Sequence, residues 1–462
     1  MKVLLVVYDN DSYISQFPIG LAYVASILLG QGYVVEIYSQ DVHHYPDNHL
    51  TKYLDDNKFD VVGISVIAGY HQYKKLLSLS DAINRSKNRP FYIIGGFGPS
   101  PEPKYFLEKT NADVVVMGEG EETTVELFDA IANKKPMKDI KGIAYRDGKK
   151  VIINSRRPLI PDIDSIPMPA YHLFPMEHYR LLRMPNCSAS DFVMPMLSGR
   201  GCTFKCTFCY RMDKGFRGRL AGSILEEIRY LQTNYGITYI SFFDELLMSS
   251  KKRTIELCEA FIHSGIKFKW DCNGRLNYAT PEVLELMKRA GCVFINYGIE
   301  AMDNEVLKNM KKALTTDQIV KGIEATLKAG ISPGFNIIFG NVGDNKETLQ
   351  AGVDFLLKYD DGAQMRTIRP VTPYPGSPLY YDAINKGLLK DVDDFYVNKH
   401  TNSDLLAVNF TELTDEEFYE ALTNANIQLM NNFFNRKRKS ISSQIENLYK
   451  KRDATFRGFR QT

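Results

Sequence analysis

Apolar and polar positions recur along this chain in two rhythmic blocks, separated by a stretch with no rhythm. VLLVVY (residues 3–8) is a β-branched run of the buried-strand kind. From Ile19, GLAYVASILLGQGY then carries apolar residues at helical spacing until Gly30 and Gly32. VVEIYS (34–39), VVGISV (61–66), FYIIGG (91–96) and DVVVMGEG (113–120) predict further strands, and segments around 72–84, 102–109 and 121–133 predict helices. Continuous apolar strands alternating with helices predict a parallel sheet covered on both faces. Roughly five such units fit a doubly wound, flavodoxin-like order with its ligand beyond the carboxyl ends of the strands.

Between about 135 and 195, Pro136, Pro158, Pro161, Pro167, Pro169, Pro175 and Pro185 break up any long element and predict a linker wrapping between domains. The alternation resumes with VMPMLSG near 192, and strand–helix units follow as far as MRTIRPVTPYPG. Six units predict an open, partial (β/α)6 barrel with its site at the carboxyl ends of the strands. Beyond about 385 the pattern is helical and polar, and from Arg436 it is basic (RKRK, KKRD, RGFR). The α/β reading thus divides the chain into 1–140, a linker 141–191, a barrel 192–385 and a helical C-terminal region 386–462. By default the basic tail is a solvated helix; contact with an anionic substrate or a membrane surface is the other reading.

Length and charge narrow the function classes. The 462 residues are enough for several cores, and a net charge of +2 gives no reason to expect a nucleic-acid partner. The first residues, MKVLLVVYDNDSYISQ, have neither the length of a membrane span nor a cleavage signal, and no other segment approaches span length. The expectation is a cytoplasmic protein that is not transmembrane. Seven cysteines, none before Cys187, do not make a secreted disulfide framework.

Three of those cysteines crowd into one loop, Ser198-Gly-Arg-Gly-Cys202-Thr-Phe-Lys-Cys206-Thr-Phe-Cys209-Tyr210, just after the first barrel strand. A zinc site would need a fourth ligand, and the nearest candidates, His178 and Cys187, lie in the linker without a second CxxC. A thioredoxin-like pair would need only two cysteines. An inert buried trio is ill suited to a loop rich in Gly, Lys, Thr and Arg. Three thiolates on a cubane cluster leave one iron open for a small chelating molecule.

This CxxxCxΦC motif, with Phe208 at the aromatic position, resembles the signature of the radical S-adenosylmethionine superfamily. The resemblance implies that Cys202, Cys206 and Cys209 hold a 4Fe–4S cluster whose open iron takes the methionyl end of S-adenosylmethionine. It also implies reductive cleavage to a 5′-deoxyadenosyl radical, with an external electron donor such as flavodoxin or ferredoxin. Further cofactor contacts follow from it: Phe208 and Tyr210 in the loop, Asp244 and Glu245 after the second strand, Asn273 and Arg275 after the third, Glu300 after the fourth and Ile338 in the fifth. Each carboxylate taken alone reads equally as a helix cap or a surface charge. Asn341-Val342-Gly343-Asp344 departs from the family's usual Gly-x-Pro-Gly-Glu loop.

Residues 1–140 resemble the cobalamin-binding domain of cobalamin-dependent radical enzymes. The segments that carry this are Pro18–Ala22, Gly63-Ile64-Ser65, Gly95-Gly96 and Met117-Gly118-Glu119-Gly120-Glu121. Glycines at strand ends let backbone approach a large ligand, and Ser65 can bond a nucleotide tail. The plain alternative is a set of tight turns in a Rossmann-like fold. The Asp-x-His-x-x-Gly of cobalamin proteins that ligate cobalt with histidine is absent, because Asp9–Ile14 has no histidine and Asp41-Val42-His43-His44 follows the second strand and lacks the glycine. No histidine ligand to cobalt is therefore expected; Tyr70 or His71 either approaches the cobalt or merely packs, the latter favoured. The whole resemblance implies methyl transfer to an unactivated carbon. A non-methylating cyclase or rearrangement enzyme of the same architecture, or a non-catalytic cobalamin binder, are the rivals. A methylthiotransferase is disfavoured because its N-terminal domain would carry three further cysteines. The substrate, whether small molecule, lipid or peptide, is unnamed. Arg366, Arg369 and Tyr374 are expected on its side of the barrel, the two arginines holding an anion or forming structural ion pairs.

Overall fold

Strand β1 (Lys2–Val7) lies inside a sheet because Val3 to Val7 all leave water, each contributing about 1.5–3 kcal/mol on burial. In the computed structural model, which describes residues 1–12, 14–212 and 214–455, β1 pairs in parallel with β2 (Val34–Ser39) and β3 (Val61–Ser65). Strands β4 (Phe91–Gly95) and β5 (Val114–Val116) continue the sheet. The order β2-β1-β3-β4-β5 is the flavodoxin-like one. Helices α1 (Ile19–Gly30), α2 (Asn48–Asp56), α3 (Tyr70–Asn84), α4 (Pro103–Thr110) and α5 (Glu121–Asn133) connect the strands. The first and last cover one face, whose core runs on into the barrel, and the middle three cover the other.

The segment 141–191 is more than a linker. Strands β6 (Ile143–Asp147) and β7 (Lys150–Ile153) add an antiparallel hairpin to the edge at β5. Gly148 and Lys149 make the turn, with Gly148 at φ 59, the backbone sign that tight hairpins favour. The rest is irregular, as its prolines predict. Tyr171, Phe174 and Tyr179 gather round Phe17 at centroid distances of 5.1, 5.0 and 5.4 Å, so this stretch fills the joint between the two sheets.

The second sheet is parallel throughout, in the order β8 (Val193–Met196), β9 (Tyr239–Phe242), β10 (Lys269–Gly274), β11 (Cys292–Glu300), β12 (Ser332–Phe339) and β13 (Arg369–Pro370). It is the expected open barrel. Helices α6 (Ala221–Tyr235), α7 (Lys251–His263), α8 (Pro281–Arg289), α9 (Asn304–Asn309), α10 (Thr316–Lys328) and α11 (Lys346–Tyr359) form its outer layer. Side-chain caps such as the Thr315–Gln318 box of α10 satisfy their first amides.

The C-terminal region is helical only in part. After α12 (Pro378–Asn385), residues 386–414 are largely irregular and pack back onto the first domain, where Tyr396 stacks on Tyr73 at 4.5 Å. Apolar contact, not helical periodicity, fixes that stretch. Helix α13 (Asp415–Lys450) then runs as one piece. Phe456 to Thr462, which include the RGFR of the basic tail, and Tyr13 of the Asp9–Ile14 loop lie outside the described residues. Among the described residues no helix is long and apolar enough to cross a membrane.

A buried set of ion pairs joins the two sheets. Arg200, from the barrel, reaches Glu119 at 2.8 Å and Glu121 at 2.5 Å in the first domain. Arg217 reaches Glu119 at 2.9 Å. Burial opposes ionisation of Glu119, but Arg217, the Ile160 amide and Arg200 outweigh it and hold the carboxyl below its usual range. Replacing Arg200 by Ala strands Glu121 and half-strips Glu119. The expected loss is about 3 kcal/mol of unfolding free energy, read as a lower urea midpoint, with Arg200→Lys recovering only part because the two-pronged contact is gone.

Candidate functional site

Both sheets present their strand carboxyl ends to the same space. A cavity of about 820 Å³ opens there. Its first-domain wall is the end of β1, the start of α1, Gly63–Ile67, Gly95–Phe97 and Gly118–Glu121; Leu197, Gly199, Arg200, Met212, Phe243 and Glu245 close it from the barrel. Of the residues expected to bind a cofactor, Ser65, Gly95, Gly96, Gly118, Glu119, Gly120, Glu121 and Glu245 all line it. Gly96, at φ 97, has no room for a side chain: a Cβ would lie 2.4 Å from the Val66 carbonyl and 2.9 Å from Ser65 Oγ. Gly118, at φ 85, has open space before it instead, which is a backbone wall that a large ligand can approach. The wall is mainly apolar with a glycine rim, the lining a corrin and its tail require. Glu119 and Glu121 stand in that wall, but their carboxylates are spent on Arg200 and Arg217. Tyr70 is not part of the wall; it packs edge-on against His400 at 6.0 Å. Asn10 and Gln72, which sequence reasoning missed, line the cavity, and no histidine does among the described residues.

The cysteine loop lies next to this cavity and is pinned from three sides. The Gly201 amide donates to Glu245 at 2.9 Å, the Thr207 amide to the Met310 carbonyl at 3.0 Å, and the Leu379 amide to the Thr207 carbonyl at 2.9 Å. Glu245 therefore stands at the join, holding the residue before Cys202 while lining the cavity. Cys206 is buried and Cys202 half-buried. Cys209 is exposed, and desolvation, then Cys206 and Glu300, push its thiol up to about 12. Desolvation first, with Cys206 and Glu245 adding, also raises Cys202. Arg275 and Lys312 offset this only in part, and cluster iron would supply the remaining positive charge that three thiolates need. The donor set fits.

Arg275 is locked beneath this loop. Its guanidinium lies 3.5 Å over the Phe204 ring and 3.9 Å from Cys206 Sγ, and it donates to the Lys312 carbonyl and to Asn277. In this structure Arg275 is thus held by the chain's own groups around the cysteine loop. Glu300 likewise has a partner already. A bulge between Gly298 and Glu300 in β11 puts Glu300 at φ 70, and its carboxylate meets buried Lys312 at 2.7 Å. Lys312 Nζ stands 5.8 Å from the Phe208 ring. Lys311 at φ 54 and Ala313 at φ 53 flank it. Strained backbone of this kind costs of order 1–3 kcal/mol per residue and persists where the surroundings enforce it.

Asp244 turns inward. It accepts from the Ser198 amide at 2.7 Å, the Gly199 amide at 3.1 Å and the Ser198 hydroxyl, anchoring the end of β8. Burial pushes its carboxyl up to about 7, and Asp271, buried beside Ser241, to about 6. Across the lumen Asn273, Asn296 and Asn336 form a ladder: Asn296 donates to Asn273 at 3.0 Å, and Asn336 donates to Asn296 at 2.9 Å. Gly334 makes room for it, since a Cβ there would lie 2.4 Å from Asn296 Oδ1. Asn296 and Lys312 escaped sequence reasoning. An Asn inside an apolar strand was a legible signal for the first; nothing marked the second.

The expected substrate-side trio does not converge. Arg366 is buried at the opposite end of the barrel, donating to the Pro333 carbonyl at 3.0 Å and pairing with Asp360 at 3.4 Å. Arg369 makes an exposed pair with Asp404, and Tyr374 packs against His400 and Phe395. Ile338 packs into the second core. Tyr210 lies against Phe97 and the Gly376 turn.

Residues 196–356 match the family model described as the radical SAM superfamily, and residues 6–128 match that of the B12 binding domain. A Pyrococcus horikoshii protein, "Uncharacterized methyltransferase PH0819", is 31% identical over 401 residues, 84% of this chain and 84% of that protein. The anaerobic magnesium-protoporphyrin IX monomethyl ester cyclase of Cereibacter sphaeroides is 28% identical over 300 residues, 63% of this chain and 48% of that one. Among solved structures, the radical S-adenosylmethionine methyltransferase TsrM from Kitasatospora setae, with cobalamin and a 4Fe–4S cluster bound, matches with a TM-score of 0.70. Its identity is 19%, over 83% of this chain and 78% of that chain. The likeness is one of fold.

The raised Asp244 carboxyl makes a pH prediction. Unfolded, the group ionises near its ordinary value; folded, it holds its proton up to about 7. Between those values only the unfolded chain loses the proton, so this group's contribution to stability falls as pH rises. Asp244→Asn, which cannot ionise, should therefore gain on the wild type in urea unfolding as pH is raised across this window. A difference that stays constant with pH is the contrary result.

Proposed function

The chain belongs to the cobalamin-dependent radical S-adenosylmethionine family, and from that premise we propose that it methylates an unactivated carbon. When bound, the cluster and S-adenosylmethionine supply a hydrogen-abstracting radical and cobalamin a transferable methyl group. In this reading Cys202, Cys206 and Cys209 hold the cluster, and Arg275, stacked on Phe204, fixes the loop that carries them. The asparagine ladder offers S-adenosylmethionine hydrogen-bonding groups in the barrel lumen. The glycine-edged wall from Gly95 to Gly120 takes the corrin tail. The observation that carries the proposal is the cavity itself, since the first domain and the barrel mouth wall it jointly. Three reduced thiols suit the cytoplasm.

A named cyclase among the relatives keeps a second reading open, and product analysis separates the two. Reconstituted protein given S-adenosylmethionine, cobalamin, reductant and substrate should form both 5′-deoxyadenosine and S-adenosylhomocysteine. Deoxyadenosine without S-adenosylhomocysteine would favour the cyclase. Cys202→Ala, Cys206→Ala or Cys209→Ala should each abolish both products and the iron–sulfur absorption.

The electron for that chemistry comes from outside the chain, and a basic groove beside the cysteine loop suits the donor. Thr203, Phe204 and Lys205 form one side; Lys308, Lys311 and Gln318 are on the other. No carboxylate lines it, and among the described residues none of its three ammonium groups has an ion-pair partner. Phe204 in its wall touches Arg275 and through it Cys206. An acidic flavodoxin or ferredoxin is the complementary partner. Changing Lys205, Lys308 and Lys311 together to Glu should slow cluster reduction by flavodoxin at least about tenfold while leaving reduction by dithionite unchanged. Equal flavodoxin rates would remove the groove from the proposal.

A further inference from the structure

Helix α13 has two halves with different surroundings. Phe418, Leu422, Ala425 and Leu429 bury one face of the first half, and Phe418 stacks on Phe339 at 4.7 Å, at the mouth end of β12. The helix then descends the barrel. Arg436 donates to the Asp360 carbonyl, beside the Asp361 that holds Ser332 at the start of β12. From Phe434 to Glu446 every residue is exposed. The last 14 residues, Lys437–Lys450, therefore project about 21 Å beyond the end of the barrel opposite its mouth.

An apolar stripe runs along the outer face of the helix into this projecting part. Ile427, Phe434, Ile441 and Leu448 recur every seven residues, with Ile445 and Tyr449 beside them. Phe434 is 57 % exposed, Ile441 49 % and Ile445 42 %. The stripe lies roughly 150° round the helix from the packed face, so the body of the protein cannot cover it by continuing the same contact. Between Arg436 and Arg452 there are seven cationic side chains and one carboxylate, Glu446.

A surface that covers the stripe must also accept that charge. Pairing with a second copy would bring two strongly cationic helices together and set Lys437 and Lys451 in the seam where d-position apolar residues belong. A nucleic acid would neutralise the charge but has no use for the apolar stripe. A membrane with anionic headgroups answers both, taking the apolar side chains at the acyl boundary and the cations at the headgroups. We propose that the free half of α13 is an interfacial helix that docks this protein on an anionic membrane surface, with the barrel mouth directed away from the lipid.

Cosedimentation of the full chain with vesicles tests this, independently of any catalysis. Binding should be at least about tenfold stronger to vesicles with one third phosphatidylglycerol than to pure phosphatidylcholine, and it should weaken with salt. Two variants should each lose that binding with an unchanged urea midpoint: Phe434→Ser/Ile441→Ser/Ile445→Ser, and Arg438→Glu/Lys439→Glu/Lys451→Glu. Equal retention by either variant overturns the proposal. So does absence of vesicle binding, whether the chain then proves to dimerise through α13 in sedimentation, to bind an RNA oligonucleotide, or to do neither.

Discussion

Arg200 is gripped by Glu119 and Glu121 from the other domain, two residues before Cys202. The rest of the arrangement depends on that contact. The same glycine-rich turn that bounds the cavity supplies the two carboxylates, and the same strand end that carries the arginine leads into the cysteine loop. A charge set buried this deeply is weak evidence of net stability, because desolvation offsets much of the attraction. What it does enforce is geometry: any slip of one domain against the other strands a carboxylate, so cavity and cysteine loop keep one spacing.

A second layer of constraint surrounds the cysteines. Arg275 lies between Phe204 and Cys206, and its contact with the Lys312 carbonyl ties the loop to the strained turn at Lys311–Ala313. Lys312 in turn holds Glu300 on the β11 bulge. Side chains that looked free to meet a cofactor are thus partners of one another. Their cost in backbone strain and burial is the kind that is retained where a loop must be held in one position. Among the described residues, the groove of Lys205, Lys308 and Lys311 beside the same loop is left uncompensated.

The strand order, the open barrel and the cysteine motif were legible because each rests on local pattern: continuous apolar runs, helical periodicity, and fixed spacing within eight residues. The hairpin that turns at Gly148–Lys149 lies among prolines that mask its two short strands. Arg366 shows the limit. It precedes the short strand β13 by three residues and so lies at the entry end of the barrel, where it meets Pro333 and Asp360, whereas the apolar pattern drew the strand as beginning before it.

Sequence by itself determined the elements, their alternation and the three thiols, since periodicity and spacing are properties of neighbouring residues. Tertiary structure alone decided which polar groups are available. Asp244, Arg275, Glu119 and Glu300 each sit at a strand's carboxyl end as anticipated, but whether such a group faces a ligand or a partner depends on residues far away in the chain. Ser198 waits for Asp244, the Lys312 carbonyl for Arg275, Arg200 for Glu119 and Lys312 for Glu300. Electrostatic pairing acts through space, and no pattern along the chain records it.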